Sequence, residues 1–105
     1  MSDVLGGFEL RVLLTVLRLG HESYSVPIVE ELEALGRRVS PSAVYVTLRR
    51  LERRGLVTSR MVPPGAGEGG RERRVFAVTP DAIALLRATR DDLSRLWDGL
   101  EVLEG

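Results

Sequence analysis

Residues 40–57, SPSAVYVTLRRLERRGLV, bring together side chains that can bind anions. Four of them are arginine, whose planar guanidinium group can donate paired hydrogen bonds to a phosphate or to O6 and N7 of guanine. Val46 stands among these polar residues and could touch a thymine methyl group, and the Tyr45 hydroxyl could bind a phosphate. The segment could therefore read nucleic acid, or it could be a core helix with a solvated basic face.

The net charge of zero hides a strong asymmetry along the chain. All fifteen cationic residues are arginine, and ten of them fall between residues 37 and 74, where only three glutamates oppose them. This segment therefore carries a net charge of +7, and the rest of the chain carries −7. Such a division indicates a basic working surface on an acidic body, although an arginine-rich composition could also scatter charge without a function.

The basic segment is predicted to form a helix that is capped by Ser40, continues through Pro41 and ends before Gly55. At 100° per residue, its apolar face should lie in the core and consists of Val44, Leu48 and Leu51, with Thr47 beside them. The opposite face is polar and basic. We expect that face to contact DNA through Ser40, Ser42, Tyr45, Val46, Arg49, Arg50 and Arg53. Arg54 lies on the flank of the apolar face and is left out of this set.

Hydrophobic periodicity predicts the remaining elements. Further helices are expected over about 8–20, 25–36 and 80–103, and strands over about 56–62 and 73–79 with a glycine-rich loop between them. The order helix, helix, helix, strand, strand, helix predicts a mainly α fold with a small β-hairpin, a winged helix-turn-helix. Ser25 and Thr79 are the expected caps of the second and fourth helices. Arg71 and Arg73 of the wing are expected to contact DNA as well.

The last helix carries leucines at heptad spacing, which is typical of a helix that pairs with another helix. A chain of 105 residues buries a modest share of its surface, so a second copy could usefully cover more. We therefore predict a homodimer with a DNA-binding domain over 1–78 and a long dimerisation helix over 79–105, which together form one structural unit. The predicted interface residues are Phe8, Leu13, Leu86, Leu93, Leu96, Leu100 and Leu103.

Trp97 lies on the same helix and allows two interpretations. In a two-fold dimer each indole would have a symmetry mate, and the two rings could hold a flat aromatic effector between them. The alternative, which we favour, is that Trp97 packs in the dimer core as a large hydrophobic residue.

Three stretches, LGGFELRVLLTVLRLG, SYSVPIVEELEALGRRVSPSAVYVTLRRLERRGLV and GGRERRVFAVT, together resemble the PadR family of winged-helix transcriptional regulators. The most specific matches are Tyr45 followed by Leu48, Leu51 and Gly55, and the Gly69-Gly70-Arg71 turn that leads through Arg74 to Thr79. The resemblance implies a homodimeric repressor of a pseudo-palindromic operator in double-stranded DNA, with helices one and four at the dimer interface. It also implies DNA contacts by Tyr45, the neighbouring arginines and Arg71. The chain departs from the family pattern at Ser23, Ser25, Val75 and Ala82, which leaves the operator and the effector open.

Catalysis is not expected, because the chain offers no plausible set of catalytic residues. It has no cysteine or lysine, and its single histidine, His21, lies at a predicted turn, where a surface role is expected. The glycine-rich loop is not followed by the Gly-Lys-Ser/Thr of a phosphate-binding loop. No cofactor and no metal site are predicted.

The composition favours a cytoplasmic protein without a membrane partner. The lack of cysteine excludes disulfides, and the longest apolar stretch, residues 12–19, is interrupted by Arg18 and is too short to span a bilayer. An adaptor dimer that keeps the winged-helix shape without reading DNA remains the alternative function. It would suit the neutral total charge, but it would not explain why the arginines concentrate on one helix and the wing.

Overall fold

The computed structural model describes residues 4–65 and 70–104. Its elements, in chain order, are α1 (Gly7–Arg18), β1 (Glu22–Ser23), α2 (Ser25–Ala34), α3 (Pro41–Arg53), β2 (Val57–Val62), β3 (Arg73–Val78), α4 (Pro80–Trp97) and a 3-10 turn (Glu101–Leu103). The predicted fold class, a mainly α winged helix-turn-helix, is confirmed. The loop predicted between the wing strands lies partly outside the described residues.

Two helices begin where the sequence predicts, because a hydroxyl cap precedes a proline at each start. Ser40 Oγ accepts a hydrogen bond from the Ala43 N–H at 3.3 Å, and Thr79 Oγ1 accepts one from the Ala82 N–H at 3.2 Å. Each cap satisfies a backbone donor that has no partner inside its helix. The prediction for α2 is off by one residue, because Tyr24 occupies the cap position and Ser25 is the first helical residue.

The sheet has three antiparallel strands in the order β1-β3-β2. Ser59 of β2 lies opposite Phe76 of β3, and Ser23 of β1 lies opposite the same Phe76 on its other side. The sequence missed β1, because two residues are too few for an alternating pattern. The strand follows a sharp reversal in which Gly20 and His21 both take positive φ values, 97° and 77°. This reversal brings the start of α2 beside the wing.

The core lies between α1, α2, α3 and the sheet. Its largest fully buried side chains include Phe76, Ile28 and the three aliphatic residues predicted for the inner face of α3, and Thr47 is buried beside them. Leu13 is also fully buried inside the protomer, so its assignment to a dimer interface is wrong. Leu86, at 7% exposure, belongs mainly to the core as well. The inner face of α1 packs within the chain, and only its outer face can meet a partner.

The last helix is shorter than the sequence predicts. It ends at Trp97 instead of near Leu103, because Asp98 is extended, with ψ at 137°, and Gly99 takes a φ of 76° that side-chain-bearing residues rarely adopt. All residues from Arg90 to Glu104 are exposed. The radius of gyration is 15.7 Å, compared with about 13 Å for a compact chain of this length, and the longest dimension is 53 Å. The end of α4 therefore projects from the body of the protomer.

Among the helices of residues 4–65 and 70–104, none has both the length and the apolar character that crossing a bilayer requires.

One ion pair fixes the end of α3 against the start of α1. Arg54 Nη1 donates to Glu9 Oε1 at 3.0 Å, and Arg54 Nη2 donates to the Val4 carbonyl at 3.2 Å. Glu9 is 9% exposed, and the same oxygen accepts the Gly6 N–H at 2.8 Å. Arg54 thus holds two elements together, which agrees with its place outside the predicted DNA-contact set.

We expect Glu9→Gln to lower the free energy of unfolding by about 1–3 kcal/mol, because the Arg54 guanidinium would lose its charged partner in a poorly solvated position. Urea denaturation would measure the change. Glu30→Gln, which removes the same charge from an exposed position of α2, should stay within about 0.5 kcal/mol of wild type. Equal effects of the two substitutions would contradict a structural role for this pair.

Candidate nucleic-acid interface

The outer face of α3 carries the predicted contact residues, and the structure brings these together on one surface. Burial of the inner face leaves Val46 52% exposed and Tyr45 40% exposed. The other predicted members of this face are exposed or partly exposed: Ser40, Ser42, Arg49, Arg50 and Arg53. An exposed valine beside arginines offers an apolar contact for a thymine methyl group next to donors for phosphates and guanine.

Tyr45 is fixed by the core although it lies on the surface. Its ring meets the ring of buried Phe76 edge to face, with centroids 6.0 Å apart and planes at 78°. Such aromatic pairs add about 0.5–1.5 kcal/mol beyond the burial of area. The phenol ring is therefore held in place before any partner arrives.

The start of α3 offers backbone donors beside two hydroxyl groups. Ser40 Oγ caps the helix and lies 2.8 Å from Ser42 Oγ. Ser40 therefore already has a structural role, while exposed Ser42 can still turn its hydroxyl toward a partner. The N-terminus of a helix is a favourable position for a phosphate oxygen.

A chain of polar contacts joins the outer face of α3 to the wing, and the sequence did not reveal it. Ser59 Oγ of β2 donates to Glu52 Oε2 at 2.6 Å, and Arg74 Nη1 of β3 donates to Ser59 Oγ at 3.0 Å. Glu52 Oε1 also lies 3.5 Å from Arg49 Nε. This ion pair uses Nε, so the two terminal nitrogens of Arg49 can form a bidentate contact with another acceptor.

We name this set, Arg49, Glu52, Ser59 and Arg74, the helix–wing network. One signal in the sequence could have drawn attention to Glu52, since it is the only acidic residue among the arginines of residues 40–57. Its partners come from two later strands, so their identity depends on the strand register and could not be read from α3 alone.

The predicted wing residues lie on or beside β3. The Arg73 guanidinium stacks over the Tyr24 ring, 4.5 Å from its centroid, and so contacts the residue that precedes α2. Arg71 is exposed next to Gly70, which takes a φ of 95°. Gly69, the first residue of the turn that carries the resemblance, lies outside the described residues. Arg71 and Arg73 are thus presented by a different element from the α3 face.

A second candidate site is an apolar groove between α1 and α4, which we call the α1–α4 groove. It encloses about 520 Å³ and is lined by leucines of both helices and by Trp97: Leu10, Leu14, Leu17, Leu86, Leu93 and Trp97. Trp97 is 64% exposed. Of the predicted interface residues, Leu93, Leu96, Leu100 and Leu103 are exposed, whereas Phe8 is half-buried beneath Arg37.

These features define a winged helix-turn-helix protein with a basic outer face on its third helix. Residues 13–87 match the sequence profile of the Transcriptional regulator PadR-like family. The chain is also 40% identical over 87 residues to Transcriptional regulator Rv3488 of Mycobacterium tuberculosis, a match that spans 81% of this chain and 74% of that protein. The chain therefore belongs to the PadR-like family of transcriptional regulators, and it is not an enzyme.

Solved structures show the same fold. A PadR family transcriptional regulator from Eggerthella lenta superimposes with a TM-score of 0.71 at 27% identity, over 92% of this chain and 88% of that chain. Bacillus subtilis PadR, solved in complex with operator DNA, gives a TM-score of 0.62 at 18% identity, over 77% of this chain and 46% of that chain. At 18% identity, the second comparison shows only that the two proteins share a fold.

We expect Ser59→Ala to lower the free energy of unfolding by about 1–2 kcal/mol, because Glu52 and Arg74 would both lose a hydrogen bond in a partly buried position. Thermal or urea unfolding would measure the loss. Ser94→Ala makes the same chemical change at an exposed position of α4 and should cause no loss of stability. If Ser59→Ala is as stable as wild type, the helix–wing network does not hold the wing in place.

Proposed function

We propose that this chain is a homodimeric repressor that binds a pseudo-palindromic operator in double-stranded DNA. The observation that carries the proposal is the outer face of α3, where a fixed tyrosine and an exposed valine stand among arginines. A major groove presents both phosphates and thymine methyl groups, which suit the arginines and the valine of this face.

The contacts divide into those that read bases and those that position the protein. Arg49 can form bidentate hydrogen bonds with guanine through its terminal nitrogens, and Val46 can contact a thymine methyl group. Ser42, Tyr45 and the start of α3 suit phosphate oxygens. Arg71 and Arg73 of the wing add contacts with the DNA backbone. Arg50 and Arg53 extend the basic face along the same side of α3.

A homodimer is proposed because no element among the described residues of the protomer covers the end of α4. Leu96 is 70% exposed, Leu100 44% and Leu103 59%, and none of them lines the α1–α4 groove. Exposed apolar residues at this density mark an interface. In our proposal the segment from residue 79 onward dimerises the protein. The two-fold axis then holds two recognition helices over half-sites about one helical turn, roughly 34 Å, apart.

Arg49→Ala and Arg71→Ala should differ in how they affect operator binding. Loss of Arg49 should cost about 1–3 kcal/mol on the operator and relax selectivity at one base pair, because a base contact is removed. Loss of Arg71 should weaken binding to all sequences alike and reduce the slope of log affinity against log salt by about one, because one phosphate contact is lost. Fluorescence anisotropy on an operator selected from a random DNA library would measure both.

Operator variants, each changed at one base pair, provide the control. Arg49→Ala should weaken binding to all of them except the variant that has lost the base pair contacted by Arg49. Identical profiles for the two substitutions would contradict this division of contacts. If the wild-type protein prefers no sequence over random DNA even at low salt, the adaptor function becomes the better explanation.

We also propose that a flat aromatic molecule binds in the α1–α4 groove against Trp97 and releases the DNA. The groove volume is within the range of about 300–1,000 Å³ that small-molecule sites occupy. Trp97 is the only tryptophan, so its fluorescence reports directly on this position.

Titration with a panel of aromatic dyes and drugs should quench Trp97 fluorescence saturably and, for the same compounds, lower operator affinity. Release should be lost in Trp97→Ala, followed by anisotropy of labelled DNA, because the stacking surface is gone. If no compound of a broad panel quenches saturably, Trp97 is only a packing residue of the proposed dimer.

A further inference from the structure

A second cleft lies on the other side of α1, between α1 and α2, and we call it the α1–α2 cleft. It encloses about 530 Å³, and its apolar lining includes Leu14, Leu17, Leu32 and Leu35. Two of these are well exposed, Leu14 at 44% and Leu35 at 59%. The cleft thus presents apolar surface on the outer side of the helices, away from the core.

Three arginines surround this apolar lining: Arg11, Arg18 and Arg37. Only Arg18 has a carboxylate partner among the described residues, with its Nε 3.0 Å from Glu31 Oε2. Arg11 donates to the Gly7 carbonyl at 3.2 Å, and the Arg37 guanidinium lies 5.8 Å from the centre of the Phe8 ring. Neither contact neutralises a charge. The rim of the cleft therefore keeps two positive charges without a nearby negative one.

The segment that follows α4 has the complementary composition. Residues 98–104, which we call the tail, contain three acidic residues, no basic residue, and three large apolar residues that are Leu100, Val102 and Leu103. Val102 is 89% exposed, and neither Glu101 nor Glu104 forms an ion pair among the described residues. The 3-10 turn at Glu101–Leu103 gives this segment a compact form, and Gly99 turns it away from the axis of α4.

The tail is not seated in the cleft of its own chain, since all its described residues are exposed. The cleft adjoins the α1–α4 groove, because Leu14 and Leu17 line both. That groove extends along α4 to Trp97, which is next to the exposed leucines that we assign to dimerisation. A second copy that covers the outer face of α1 would therefore come close to the cleft.

We propose that the tail of each copy docks in the α1–α2 cleft of the other copy. Its apolar residues would cover Leu14 and Leu35, and Glu101 and Glu104 would pair with Arg11 and Arg37. This inference rests on the proposed homodimer and specifies where the C-terminal segment of each copy binds. In a two-fold dimer the contact occurs twice, so each ion pair counts twice toward the stability of the dimer. Ion pairs of this kind favour one arrangement of the two copies over others.

Charge reversal in the full-length chain tests the proposal without DNA or effector. One variant reverses the tail, Glu101→Arg with Glu104→Arg. A second reverses the cleft, Arg11→Glu with Arg37→Glu. Each alone should weaken the dimer, raising its dissociation constant at least about tenfold, because like charges would meet at both contacts. Sedimentation velocity across a dilution series would measure this constant, and circular dichroism would verify the fold of each variant.

In an equimolar mixture, the mixed dimer should regain wild-type affinity, because one contact joins a reversed tail to a reversed cleft and the other joins a wild-type tail to a wild-type cleft. The control is Glu30→Arg with Glu33→Arg, which changes the charge by the same amount on the exposed face of α2. This control should dimerise like wild type, and its mixed dimer with the cleft variant should have intermediate affinity, because one of the two contacts still joins like charges. Full restoration by the tail variant, with only partial restoration by the control, would show that the position of the reversed charges decides the outcome.

Three results would overturn the proposal. If both variants dimerise as tightly as wild type, the tail does not dock in the cleft, although the homodimer stands. If both are weakened but the mixture is not restored, the two charged groups do not meet across the dimer. If the wild-type protein is a monomer at every concentration, the proposed homodimer itself fails and the docking fails with it.

Discussion

The structure depends on the burial of one face of α3. Val44, Leu48 and Leu51 are completely buried and belong to the same core cluster as Phe76 and Ile28. Each buried side chain of this size contributes about 1.5–3 kcal/mol. Because a helix has opposite faces, the same burial decides which side chains point outward. The basic outer face of α3 is therefore presented to solvent by the packing of its inner face.

The arginines of the basic segment serve two purposes, and only the structure separates them. Arg54, Arg60 and Arg74 reach acceptors on other elements of the same chain. Arg50, Arg53 and Arg71 are exposed and carry no ion pair among the described residues. The number of arginines in this segment is therefore larger than the number available to a partner. Part of the positive charge stabilises the frame that carries the rest.

Local features of the fold could be predicted from the sequence, whereas features that depend on tertiary partners could not. The caps at Ser40 and Thr79 and the inner face of α3 follow from spacing within one element, and the structure confirms them. Leu13 and Leu14 are neighbours on an apolar helix, and only the packing of α1 decides that Leu13 is buried and Leu14 is exposed. The heptad pattern of α4 likewise predicts a longer helix, because the leucine spacing continues past Gly99 whereas the helix ends before it.

Helix α1 contacts both apolar clefts and the end of α3. Its outer face lines both the α1–α4 groove and the α1–α2 cleft, and Glu9 in its first turn holds the end of α3 through Arg54. Suppose that α1 can pack in two arrangements and that an effector or a second copy binds one of them more tightly. Binding then shifts the equilibrium between the two arrangements by that difference in affinity. In our proposal such a shift would reach α3 directly, since α1 and α3 are joined by the Glu9–Arg54 ion pair and by the core. If the proposed effector or dimer acts on DNA binding, the shortest packed connection runs from α1 to α3 and does not include the wing.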